Sequence, residues 1–155
     1  MIATRLLPAA ALFAAALVAV AAPASAAAPC PNQGLKTAPV EFVTARGRFT
    51  YRVEIAATSE QQACGMMFRE TMAPGTGMAF PMQPPRATGF WMENTILPLD
   101  IIFVSPQGRV LNVRQGQPYS RDVLNSAGVT GEVIELKAGE AERIGLKPGD
   151  RVRRR

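Results

Sequence analysis

VEFVTARGRFTYRVEI, residues 40–55, is the stretch that decides the fold. In its second half Phe49, Tyr51, Val53 and Ile55 alternate with Thr50, Arg52 and Glu54. A period of two places the apolar set on one face of a strand and the polar set on the other. Ahead of it residues 40–44 read as a second strand, and Arg46-Gly47 supplies the turn between them. The segment is a β-hairpin with one face ready for a core.

The same texture continues downstream. Residues 99–104 are apolar apart from Asp100, a buried strand, and Ser105-Pro106-Gln107-Gly108 has proline and glycine where a type I turn takes them. Residues 109–113 return as its partner, and 132–136 form another strand. Shorter strands are expected at 77–82, at 90–92 and after the Lys147-Pro148-Gly149-Asp150 turn, with loops at 72–77, 83–86 and 115–128. Helix is confined to two short pieces. One starts at Thr58, where Gln61 completes a capping box, and runs to about residue 68. The other covers 138–144 and is closed by Gly145. Short strands punctuated by glycine and proline make the domain all-β, a sandwich or barrel, and no internal repeat is present.

The first 26 residues read as a cleavable signal peptide: Arg5, an apolar run over 9–22, then Ala24-Ser25-Ala26 before a mature start at Ala27. The run is too short and alanine-rich for a membrane span, which needs about 20 strongly apolar residues. A lipoprotein site at Cys30 is disfavoured by Pro29 directly before it. The expected location is periplasmic or secreted. Residues 27–39 form an N-terminal arm, 40–152 a single β-rich domain, and 153–155 a basic tail. With Arg5 removed the net charge falls from +5 to +4, and four of the basic residues are Arg151, Arg153, Arg154 and Arg155. The tail reads as a solvated terminus; contact with anionic lipid or an acidic partner is the sharper alternative. A nucleic-acid partner is not expected outside the cytoplasm.

Histidine is absent. That removes Ser-His-Asp and Cys-His catalysis, histidine zinc sites and histidine pH switches together. Two cysteines cannot build a cysteine-cluster metal site. Neither a metal nor another cofactor is expected. All six methionines beyond Met1 lie between Met66 and Met92, which admits a thioether copper site but reads better as filling of an irregular core.

From Cys64 onward the chain resembles the bacterial and archaeal family known as domain of unknown function 192. The resemblance rests on Gly65-Met66-Met67-Phe68-Arg69, on Gly77-Met78-Ala79-Phe80 and on the long block from Phe90-Trp91-Met92-Glu93-Asn94-Thr95 to Pro98-Leu99-Asp100-Ile101-Ile102-Phe103. Ile134-Glu135-Leu136-Lys137-Ala138-Gly139, Gly145-Leu146 and Gly149-Asp150 extend it. It implies a compact, jelly-roll-like sandwich or barrel and brings no chemistry. Two departures stand out: the family commonly has a basic residue where Cys64 stands and lysine where Glu93 stands, so a cationic site is in doubt here.

The segment 69–100 concentrates the candidate site. Trp91 is the sole tryptophan, and alternation puts Glu93 on its face. Asp100 interrupts an apolar run, so it needs hydrogen-bond donors, which Arg69 or the Asn94-Thr95 backbone would supply. The functional reading is a polar pocket floored by Trp91 with Arg69, Glu93, Asn94 and Asp100 binding a small ligand. The bland reading, favoured, is a turn pinned by Asp100, whose carboxyl would then have a lowered pKa and stabilise the fold at neutral pH. Glu93 and Asp100 as a glycosidase-type pair is a remoter option. The function expected is a non-catalytic binding or accessory module for a small molecule or an envelope protein; the runner-up is a carboxylate-based hydrolase or lyase. Finally, an exported chain with two cysteines permits one intramolecular pairing, Cys30 with Cys64.

Overall fold

The computed structural model describes residue 30 and residues 32–154; the expected signal peptide lies outside the described residues. Among the described residues the chain is all-β, with nine strands and two short helices. Nine strands run β1 (Thr37–Thr44), β2 (Gly47–Ile55), β3 (Thr76–Arg86), β4 (Gly89–Phe90), β5 (Leu99–Val104), β6 (Val110–Gly116), β7 (Leu124–Asn125), β8 (Thr130–Lys137) and β9 (Arg151–Arg154). Helix α1 (Ser59–Cys64) joins β2 to β3, and α2 (Glu140–Arg143) follows β8.

Seven strands form one sheet in the order β6-β5-β8-β3-β2-β1-β9, while β4 and β7 pair separately. The hairpin read from residues 40–55 is β1–β2, in register from Thr37↔Glu54 to Thr44↔Gly47. β2 and β3 are parallel, the α1 crossover making that possible. The two sheet ends meet. Val110 N donates to Asp150 O at 2.9 Å, Gly149 N to Val110 O at 2.8 Å, and Val152 N to Gly108 O at 2.9 Å. The sheet is thereby curled toward a barrel, its two end strands joined at one corner by the Arg109↔Arg151 bridge.

Two cores result. Val40, Phe42, Tyr51, Val53, Ile102, Ile134, Leu136 and Val152 fill one side of the sheet, with Ala141, Ile144 and Leu146 of the α2 segment packed on them. On the other side Met66, Met78, Phe80, Met82, Met92, Leu99, Ile101 and Phe103 pack under the covering loops. β5 and β8 serve both, so all six residues of β5 are buried. Four of the six clustered methionines lie in the second core and Met72 packs against it, as the core-filling reading requires.

Several boundaries differ from expectation. β1 starts at Thr37, inside the segment read as an arm, and β9 carries Arg153 and Arg154, read as tail, into the barrel wall. Arg154 pairs there with Glu132. β3 runs on through the expected 83–86 loop to Arg86. α1 has the expected capping box on Thr58 and Gln61 but stops at Cys64, because Gly65 takes φ 50° and the chain turns away. Residues 91 and 92 leave the short β4 strand, and β7 lies within the expected 115–128 loop. Among the described residues no helix is long and apolar enough to cross a membrane.

Candidate functional site

The second core does not close over completely. A cleft of about 190 Å³ opens between α1 and the β4 segment, with Gln62, Gly65, Met66 and Met67 on one wall and Phe90, Trp91 and Thr95 on the other. Phe90 is fixed edge-on against Phe80 at 5.0 Å and Phe103 at 6.2 Å between ring centroids. Trp91, 52% exposed, stands at the mouth.

Glu135 lines this cleft. It is the middle of β8, opposite Met78 on β3 and Ile101 on β5, so an acid has been set into the apolar face. A Cβ on Gly77 would collide with the Glu135 carbonyl, so glycine there lets β3 and β8 approach at this point. The Glu135 side chain is buried, and its Oε2 finds no hydrogen-bond partner among the described residues. Burial pushes its pKa up to about 8, against an opposing pull from the Arg69 charge. Burial thus favours the neutral, protonated form of this side chain around neutral pH.

A second, more polar trough of about 440 Å³ adjoins the cleft and shares Cys64 and Met67 with it. The disulfide between Cys30 and Cys64, with Cα atoms 5.6 Å apart, brings the arm to its edge. Asn32 is locked there: Nδ2 donates to Gln61 O at 2.8 Å and to Gly65 O at 2.7 Å. Arg69 forms an ion pair with Glu54 and donates from Nη2 to Asn32 O at 2.7 Å.

Three non-glycine residues with left-handed backbone, Phe68 (φ 62°), Asn94 (φ 53°) and Tyr119 (φ 60°), sit on the loops around these depressions. The loops are stitched together: Phe68 N donates to Asn94 O at 2.9 Å and Tyr119 N to Thr95 O at 3.1 Å. Such backbone is unfavourable for bulky residues and gathers where surrounding structure imposes it, often at binding sites. Phe68 and Tyr119 are 62% and 61% exposed, so this end of the molecule displays aromatic rings to solvent.

A model of the family DUF192, described as an uncharacterized ACR, matches residues 41–154. The chain belongs to this family. A search of curated proteins gave no match. Among solved structures, a Novosphingobium aromaticivorans protein of unknown function is 44% identical, covers 79% of this chain and 89% of its own, and superposes with a TM-score of 0.76. A Sinorhizobium meliloti protein described as a candidate transcription regulator is 34% identical, with coverages of 77% and 95% and a TM-score of 0.74.

In this DUF192 chain the residues singled out from sequence do not all converge. Trp91 is on the cleft wall and Arg69 lines the adjoining trough. Asn94 is exposed and its Nδ2 lies 4.0 Å from Met67 Sδ. Glu93 pairs with Arg121 at 2.7 Å. Asp100 is buried, as expected, but on the opposite face of the sheet. Its Oδ2 accepts from Ala141 N at 2.8 Å at the start of α2, not from the 90–97 segment or from Arg69, because alternation along β5 turns it toward the α2 side while Ile101 faces the cleft. Its pKa is raised rather than lowered: burial is the largest influence and outweighs the α2 amides. Glu93 and Asp100 therefore form no acid–base pair. Glu135 was not singled out. The signal was present, an acid inside the apolar Val133-Ile134-Glu135-Leu136 run, the same anomaly that marked Asp100.

Proposed function

We propose that this DUF192 protein is a small exported binding module whose ligand site is the Trp91–Glu135 cleft. One observation carries the reading. A protein accepts the cost of burying a carboxyl with an unpaired oxygen only where something else is gained, and Glu135 is placed so at an opening walled by Phe90 and Trp91. Export is supported by the leader pattern of residues 1–26 and by the Cys30–Cys64 disulfide, a bond suited to an oxidising compartment. The carboxylate-based hydrolase reading is less well supported, since Glu93 is ion-paired with Arg121 and Asp100 accepts from the Ala141 amide, so the two acids do not converge.

Trp91 is the sole tryptophan, so its emission reports on the cleft alone. The protein purified from the envelope, stripped by gentle denaturation and refolded, should regain its original emission when its own released extract is added. Glu135→Gln, which keeps the shape of the side chain, should fold and fail to respond. An extract that shifts Glu135→Gln and wild type equally would remove the cleft from the function.

A further inference from the structure

The lining of the cleft has a definite electronic character. Glu135 offers oxygen, Phe90 and Trp91 offer ring faces, and Met66 and Met67 offer thioethers. Hydrogen-bond donors are nearly exhausted. Both Gln62 Nε2 hydrogens are used, on Ala56 O at 3.2 Å and Pro81 O at 2.8 Å. Thr95 Oγ1 donates to Glu93 O at 3.2 Å. Beside the O–H of Glu135 in its neutral form, the indole N–H of half-exposed Trp91 is the donor left on the side chains of the wall. An anion meets no cation on this wall, and a neutral acceptor meets only the Glu135 O–H and the indole N–H; a donor with positive charge meets a carboxyl, aromatic faces and soft sulfur together.

Resting on the cleft reading above, we propose that the ligand class is a compact organic ammonium ion with an apolar body, its N–H group paired to Glu135 and its body against Phe90 and Trp91. The charge environment permits it. From β3 and β5 the groups facing Glu135 are apolar, Met78 and Ile101. Arg69 is the cation that acts on it from the covering segment, and that charge is offset by its ion pair with Glu54. Lys137, two residues along β8, acts on Glu140 instead.

Binding would then exchange a cation for a proton. The neutral acid loses its proton to solvent, and the ammonium pairs with the carboxylate, so one proton leaves for each ligand bound. With burial holding the acid's pKa up at about 8, affinity should rise by about tenfold per pH unit below that value and level off above it. A neutral ligand accepting from the protonated acid would do the reverse, weakening above pH 8.

The test uses the full-length, disulfide-intact protein and three probes of matched shape: phenethylammonium, 2-phenylethanol and 3-phenylpropionate. Titration calorimetry at pH 7 in two buffers of different ionisation enthalpy counts protons, and Trp91 emission confirms the location. Phenethylammonium should bind best, release close to one proton and gain affinity between pH 6 and pH 8; Glu135→Gln should abolish both the preference and the pH dependence. Preference for 2-phenylethanol, or binding without proton release, would overturn the cationic class while leaving the cleft as a binding site. If no probe binds and the envelope extract also leaves Trp91 unmoved, the cleft reading falls with it.

Discussion

At the scale of single residues the two buried acids behave alike in one respect. Asp100 and Glu135 are both held above their ordinary pKa by burial. The folded state therefore keeps their protons more tightly than the unfolded chain does. Their support for the fold is fullest in acid, below the unfolded values, and is lost as pH rises through the folded ones. Asp100 differs in having a partner: its Oδ2 takes the Ala141 amide at the start of α2. Asp100→Ala leaves that amide unpaired and should cost about 1–3 kcal/mol in urea denaturation at pH 5. Asp100→Asn keeps an acceptor, costs less, and should narrow the difference in wild-type stability between pH 5 and pH 8. A difference unchanged by Asp100→Asn would mean that this carboxyl does not titrate with the fold. Asp100 was legible from sequence as a buried acid, because it breaks an apolar run. Which way it points was not, since that depends on which face of β5 receives α2.

At the scale of elements the capping box of α1 was legible to the residue, because it is a local bargain among Thr58, Gln61 and their own amides. β3 was legible only in its first half. Its prolines read as breakers, yet pairing with β2 ends at Ala79, so beyond that point one side of β3 needs no amide ladder and Pro81, Pro84 and Pro85 are accommodated. The arm gains its place from the disulfide, which spans a sequence separation of 34. Replacing both cysteines by serine should lower stability by about 2–4 kcal/mol. Asn32 and, through it, one bond to Arg69 should be released with the arm. Denaturation of the double variant beside wild type, with and without reductant, checks this: reductant should bring wild type down to the variant and leave the variant unmoved.

At the scale of the whole molecule, alternation in residues 40–55 revealed a sheet with a buried face but not that the sheet closes. Closure depends on pairings such as Phe42↔Val152 and Arg109↔Arg151, which no local pattern announces. The C-terminal arginines looked like a tail for the same reason: their charge is visible in sequence, while the inward turn of Val152 between them is a matter of register. Deleting residues 151–155 should therefore destabilise the domain by at least ~3 kcal/mol, through lost Val152 burial and lost ladder bonds. Arg153→Ala, at an exposed position, should be close to neutral, and thermal melts of the two compare them directly. The seam also sets a schedule. The strand that begins the barrel waits for one more than a hundred residues later, so the seam cannot form until residues 151–154 are present. Should the chain be exported as proposed above, the seam is the part of the wall that stays open longest, because its second half is the last to arrive.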